Sequence, residues 1–165
     1  MSESSVLGSA VGALLKERGQ TIAVAESSAG GLINAALVAV PGASAFYLGG
    51  GIIYTKAGRE ALLGLGAQDM KGIRSSSEPY AKLLALRVRE KLGATWGLSE
   101  TGASGPTENS YGDAPGHACI AVSGPAFDPH EAVITVETAS ADREANMREF
   151  TRRALALLEA CLRKA

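Results

Sequence analysis

The chain has 165 residues, of which 46% are hydrophobic and 20% are charged, and its formal net charge is −1. A charge this close to zero does not favour binding to nucleic acid or to an anionic membrane surface. The length and the apolar fraction predict one globular domain over residues 1–165, with a hydrophobic core of its own.

The two cysteines, Cys119 and Cys161, both lie in apolar runs and predict buried free thiols rather than a disulfide. Cysteine and histidine spacings typical of a zinc site are absent, so no metal is expected. The first residues lack the basic and then apolar pattern of a signal peptide, and no run of about 18 apolar residues occurs. These features predict a cytoplasmic protein without a membrane span.

The first half of the chain alternates helical and strand patterns, with apolar residues at helical spacing or in short β-branched runs. Three consecutive glycines interrupt one predicted strand. They indicate either close backbone approach or slack before a shorter strand at 51–55. The predicted elements are a helix over 4–18, a strand over 21–26, a helix over 30–39, a strand over 46–54 and a short helix over 57–64.

The second half begins with a helix over 77–92, where a serine cap, an acid and a proline mark its start. A strand over 95–101 follows and runs into a loop of small residues. Strands over 118–122 and 132–136, joined by a proline-containing segment, predict an antiparallel hairpin, and a last helix covers 142–163. This order predicts an α/β fold, a three-layer α/β/α sandwich with a mixed sheet of five strands.

The junction between the first strand and the second helix carries two serines and two glycines, in Ala25-Glu26-Ser27-Ser28-Ala29-Gly30-Gly31. A helix start presents unpaired N–H groups and a partial positive charge, and glycine lets a ligand approach the backbone. A serine on this turn can direct its hydroxyl into the crevice above the strand ends. The same pattern also fits a helix cap in a tight turn without a catalytic role.

Five segments together resemble the CinA C-terminal domain family of competence/damage-inducible proteins. The turn at 25–31 is similar to the family's AESCTGG, and 41–46 to its PGSSxxF. The segment 50–55 is similar to GGxxxYS, 101–106 to TGIAGP, and 141–144 to GDRE. The order and approximate spacing hold from about residue 6 to residue 160, so the resemblance covers nearly the whole chain.

The resemblance implies a mostly parallel sheet with one antiparallel strand, and hydrolysis of nicotinamide mononucleotide to nicotinate mononucleotide and ammonia without a metal or organic cofactor. It implies Ser27 as the nucleophile, backbone N–H groups of Ala29 to Gly31 as oxyanion or phosphate donors, and Thr101 as a positioning residue. The expected partner is a small pyridine nucleotide, and we also expect a homo-oligomer. The other expected substrate-binding residues are Ser28, Tyr54, Gly102, Ser104 and Arg143.

The sequence departs from the family pattern where members with YSNEAK carry a lysine five residues after the tyrosine. Arg59 stands there, and an arginine does not release its proton near neutral pH. Lys56 lies about one helical turn earlier and is the alternative base. Glu26 is a candidate buried carboxylate that pairs with Arg59 or Lys56. Ser28 and Ala29 replace the family's Cys-Thr.

Two other functions fit the sequence. One is a nucleotide-binding or regulatory module that kept the pocket without the base. The other is an interaction protein whose glycine-rich strand packs at an oligomer interface.

Overall fold

The computed structural model describes residues 1–125 and 131–165. They form one central sheet with helices packed against it. In chain order the elements are α1 (Glu3–Arg18), β1 (Ile22–Glu26), α2 (Leu32–Val38), a 3-10 turn (Ala43–Ala45), β2 (Tyr47–Ile52), α3 (Lys56–Leu63), α4 (Glu78–Leu92), β3 (Trp96–Ala103), β4 (His117–Ser123), β5 (Glu131–Glu137) and α5 (Arg143–Lys164).

The sheet has the strand order β2-β1-β3-β4-β5. β1 pairs in parallel with β2 and with β3, whereas β4 is antiparallel to both β3 and β5. Four strands therefore run in one direction and β4 in the other, which confirms the predicted mixed, mostly parallel sheet. The predicted antiparallel pairing of 118–122 with 132–136 is also confirmed. The connection between these strands includes residues 126–130, which lie outside the described residues.

Helices cover both faces of the sheet, so the predicted three-layer sandwich is confirmed. α1, α2 and α5 pack together on one face, and α3 and α4 lie on the other. Alternate residues of β1 contact different layers: Ile22 and Val24 pack against the first, Ala23 and Ala25 against the second. Burial on both faces explains why β1 is apolar without alternation.

The glycines of β2 allow close backbone approach rather than slack before a shorter strand. A Cβ built on Gly50 would lie 2.2 Å from the Val24 carbonyl oxygen and 2.3 Å from Asn34 Oδ1. The alternative of a strand confined to 51–55 is wrong, because Tyr47 already pairs with Ile22.

Two further predictions have clear outcomes. The strand predicted over 95–101 extends to Ala103, so Gly102 belongs to β3 and not to the following loop. A Cβ on Gly102 would lie 2.2 Å from the His117 carbonyl oxygen, because β4 runs alongside it. Cys119 and Cys161 are buried free thiols, as predicted. Among the described residues, no helix is both long enough and apolar enough to cross a bilayer.

Candidate active site

A cleft of about 420 Å³ opens at the edge of the sheet where the parallel strands β1, β2 and β3 end. Open α/β sheets bind ligands at this edge, because loops that leave the strand ends diverge there. Three strand ends, the segment before α4 and the loop after β3 all contribute to its wall. The lining residues are Ser27, Ile53, Tyr54, Thr55, Lys56, Arg59, Ser75, Ser76, Tyr80, Thr101, Gly102, Asn109 and Tyr111.

Half of the residues selected from the sequence lie in this cleft. The residues brought together are Ser27, Tyr54, Lys56, Arg59, Thr101 and Gly102. The selected residues that lie outside its lining are Ser28, Ala29, Gly30, Gly31, Ser104 and Arg143. The cleft therefore joins the proposed nucleophile to both cations on α3, although they are far apart in sequence.

The electrostatic character of the cleft is positive. Lys56 and Arg59 line it, and none of the lining residues that the structure describes is an aspartate or a glutamate. A concave site lined by one sign of charge raises the local concentration of oppositely charged ligands. The arrangement therefore favours an anionic small molecule.

Arg59 is the most unusual side chain of the cleft. It is only 9% exposed, and its buried Nε has no hydrogen-bond partner among the described residues. Its guanidinium lies over the Tyr80 ring, 5.7 Å from the ring centroid. Burial raises the pKa of the Tyr80 hydroxyl, and the nearby Arg59 opposes that rise. A buried N–H group without an acceptor is costly, so an acceptor supplied by a ligand would be favoured.

The turn that carries Ser27 is held by Glu100, a residue whose role the sequence analysis missed. One carboxylate oxygen of Glu100 accepts the backbone N–H groups of Ser27 at 3.1 Å and Ala29 at 2.7 Å. The other accepts the Ser28 hydroxyl. The available signal was an acid inside a strand of small and apolar residues, directly before Thr101.

Glu100 is fully buried beneath this turn. Burial raises the pKa of its carboxyl from 4.5 to about 7, although the hydrogen bonds from Ser28, Ala29 and Ser27 oppose the rise. The neighbouring carboxylate of Glu26 adds to it. The support of the Ser27 turn is thus a carboxyl group that changes its charge near neutral pH.

The expected pairing of Glu26 with Arg59 or Lys56 is wrong. One Glu26 oxygen accepts the backbone N–H groups of Gly31 at 2.8 Å and Ile33 at 3.2 Å. The other accepts the backbone N–H and the side-chain amide of Asn34, both at 2.7 Å. Glu26 instead satisfies the free N–H groups at the start of α2, where the cap residue Gly31 has no side chain to do so.

The backbone donors expected for an oxyanion or a phosphate are also engaged. The N–H of Ala29 donates to Glu100, that of Gly30 donates to the Ser27 carbonyl, and that of Gly31 donates to Glu26. The expectation that these three groups bind the ligand is therefore corrected: in this structure they stabilise the turn itself.

The opposite wall of the cleft is built by Thr101 and Ser76. The Thr101 hydroxyl oxygen accepts the backbone N–H of Ser76 at 3.2 Å, which leaves its own proton free to be donated. Ser76 has a positive φ of 58°, and its carbonyl accepts Nε2–H of His117 at 2.8 Å. Burial lowers the pKa of His117, but hydrogen bonds to Glu137 and to the Ser76 carbonyl outweigh this, so the pKa is raised overall.

Arg143 and Ser104 connect the loops around the cleft. Arg143 donates to the Tyr54 hydroxyl at 3.0 Å and to the Gly105 carbonyl. The Ser104 hydroxyl donates to the Ser28 carbonyl at 2.8 Å. Both residues position groups that surround the cleft.

A larger groove of about 580 Å³ lies elsewhere, between the start of α1, α2 and α5. Its lining is mainly apolar and contains none of the residues selected from the sequence. The charged residues that line it form ion pairs: Arg152 with Glu3 and with Glu149, and Arg148 with Glu144. The smaller cleft is therefore the better candidate for chemistry.

Comparison with known proteins identifies the family. The family model for the CinA C-terminal domain matches residues 5–162. The chain belongs to the CinA C-terminal domain family. A CinA-like protein of Gloeothece citriformis is 44% identical over 105 residues, which cover 64% of this chain and 25% of that protein. One of Prochlorococcus marinus is 40% identical over 124 residues, which cover 75% of this chain and 29% of that protein. The alignments thus span less than a third of the length of these CinA relatives.

Solved structures share the same fold. A CinA superfamily protein of Klebsiella pneumoniae superposes with a TM-score of 0.88 at 24% identity, covering 98% of this chain and 99% of that chain. A competence/damage-inducible protein of Agrobacterium tumefaciens gives 0.88 at 23% identity, covering 98% and 96%. The CinA architecture is therefore preserved over nearly the whole chain.

Proposed function

We propose that this CinA domain hydrolyses the carboxamide of a pyridine nucleotide, with nicotinamide mononucleotide as the first substrate to test. One observation carries the proposal: Ser27 and Thr101 share a cleft with two cations, and no carboxylate lines it within the described part of the chain. A nucleotide phosphate suits the positive charge, and a carboxamide requires a nucleophile and an oxyanion donor. The resemblance noted from the sequence names the same reaction.

In the proposed mechanism, Ser27 Oγ attacks the carboxamide carbon while a base accepts the serine proton. The base passes this proton to the amide nitrogen, which leaves as ammonia and gives an ester of Ser27; water then hydrolyses the ester, releasing the pyridine carboxylate and restoring Ser27. The Thr101 hydroxyl, which retains a proton to donate, stabilises the developing oxyanion. In the two steps together, one amide and one water give one acid and one ammonia.

Lys56 is the proposed base. Arg59 keeps its proton at neutral pH, whereas Lys56 is the amine that lines the cleft. A lysine accepts a proton from serine only in its neutral form.

The second candidate function is binding of the nucleotide without hydrolysis. The buried Nε of Arg59, which has no partner in the described part of the chain, favours this function, because the group suits a bound anion better than proton transfer.

Ammonia release from nicotinamide mononucleotide separates the two functions. We expect wild-type turnover that falls about 10²–10⁴-fold in Lys56→Ala, the usual range for loss of a general base, and that is abolished in Ser27→Ala. Lys82→Ala, on the exposed side of α4 and outside the cleft, is the matched lysine control. Wild-type protein that releases no ammonia, with release gained in Arg59→Lys, would refute Lys56 as the base and support the binding module.

A further inference from the structure

We infer that Arg59 forms a binding site for a planar carboxylate, so that the chain binds a pyridine carboxylic acid more tightly than the corresponding carboxamide. The inference rests on the proposed function only for the choice of a pyridine ring as the probe.

Arg59 has the donor geometry that a carboxylate requires. The Nε–H of Arg59 and the neighbouring terminal N–H of a guanidinium point in parallel, and this fork matches the two oxygens of a carboxylate. Here Nε is buried and has no acceptor among the described residues, while the side chain lines the cleft. The Tyr80 ring lies 5.7 Å away and limits the orientations of the guanidinium plane.

Arg59 also lacks a counter-ion within the described part of the chain. None of the ion pairs formed by the described residues includes Arg59, although its side chain is 9% exposed. Buried charges are normally paired, because desolvation of a lone charge is expensive. A ligand carboxylate would supply both the negative charge and the acceptor oxygens.

The exposure of the lining residues indicates which part of a nucleotide reaches Arg59. Tyr54 is 60% exposed and Lys56 is also exposed, so both lie near the mouth of the cleft, whereas Arg59 is buried. A strongly hydrated phosphate loses less solvation at the mouth of the cleft than at a buried group. The carboxamide or carboxylate of the pyridine ring therefore binds beside Arg59.

A carboxamide fits this position less well than an acid does. Its NH₂ group would face the N–H donors of the guanidinium, whereas both oxygens of a carboxylate accept from them. One charge-assisted hydrogen bond is worth about a tenfold to hundredfold change in affinity. If the chain is a hydrolase, its acid product should therefore inhibit it.

The test is isothermal titration calorimetry with nicotinate mononucleotide and nicotinamide mononucleotide, repeated with free nicotinate and free nicotinamide. Wild type should bind each acid at least about tenfold more tightly than its amide. Arg59→Gln should lose this preference, and Arg59→Lys should reduce it, because lysine keeps the charge but not the fork. Arg148→Gln, an exposed arginine outside the cleft, should retain it.

Three results would overturn the inference: equal affinity of wild type for acid and amide, a preference that survives in Arg59→Gln, or displacement of nicotinate by inorganic phosphate at the same site. Fluorescence of the buried Trp96 checks folding, and Arg59→Lys carries the test if the glutamine variant unfolds. Acid preference without ammonia release refutes only the proposed hydrolysis. Ammonia release without acid preference refutes only this inference.

Discussion

Glu100→Gln should make the protein more stable relative to wild type as the pH rises from 5 to 8. The carboxyl of Glu100 is fully buried, and its pKa is raised from 4.5 to about 7. Between these values the folded state holds a proton that the unfolded state has released, so the stability of wild type falls as the pH rises. The loss of folding free energy caused by burying Glu100 is small below pH 4.5 and complete above about pH 7.

The size of the effect follows from the shift. Each unit of difference in pKa is worth about 1.4 kcal/mol, so the full penalty is about 3 kcal/mol, of which about 2–3 kcal/mol develops between pH 5 and pH 8. Glutamine has nearly the same shape but does not ionise. Its carbonyl oxygen can still accept the N–H groups of Ser27 and Ala29, which Glu100 accepts at 3.1 Å and 2.7 Å.

Urea unfolding at several pH values, followed by fluorescence, measures this. Trp96 is the only tryptophan and is 1% exposed, so it reports the loss of the core. Glu60→Gln, which removes an exposed carboxyl, is the matched control and should retain the wild-type pH dependence. If wild type and Glu100→Gln lose stability in parallel between pH 5 and 8, then Glu100 does not titrate in this range and the reasoning fails.

Three further predictions concern the packing of β3, the start of α2 and the titration of His117. Gly97→Ala should lower the free energy of unfolding, measured in urea, by about 3 kcal/mol, because the new Cβ would lie 2.1 Å from the Ala85 carbonyl oxygen. The control Gly66→Ala, whose Cβ would have no atom within 4 Å, should change it by less than about 0.5 kcal/mol. Glu26→Gln should lower the free energy of unfolding by about 2–3 kcal/mol at neutral pH, because a glutamine side chain cannot accept the four hydrogen bonds that Glu26 accepts. An unchanged free energy of unfolding would contradict the capping role of Glu26. The pKa of His117 is raised from 6.5, so its protonation stabilises the folded protein fully below pH 6.5, and this contribution is lost as the pH rises through the folded-state pKa. The free energies of unfolding of wild type and His117→Gln should therefore differ at low pH and converge at high pH.

Much of the fold could be predicted because local signals and packing agree. The start of α4 is an example: Ser77 caps it by accepting the N–H of Tyr80, and proline occupies its first turn. The length of β3 could not be predicted, because Gly102 belongs to the strand only through its pairing with β4. A strand end depends on a partner that is distant in sequence.

The candidate site could be predicted in part. Ser27 and Thr101 follow or end parallel strands, so their convergence at one edge of the sheet follows from the topology. The hydrogen-bond partners could not be predicted, because they depend on side-chain directions. Glu26 bonds the start of α2 instead of a cation, and Glu100 supports the turn from the neighbouring strand.

Arg59 and Glu100 are the two buried charges that local sequence patterns explain least, and both lie at the cleft or directly beneath its serine turn. Glu100 titrates near neutral pH because burial opposes its ionisation. An arginine does not lose its proton near neutral pH, and the buried Nε of Arg59 has no acceptor among the described residues. Costs of this kind usually persist where a bound ligand or a reaction compensates for them. A ligand anion at Arg59 would pair the arginine and supply the missing acceptor, so the cost of burying this group would fall on binding.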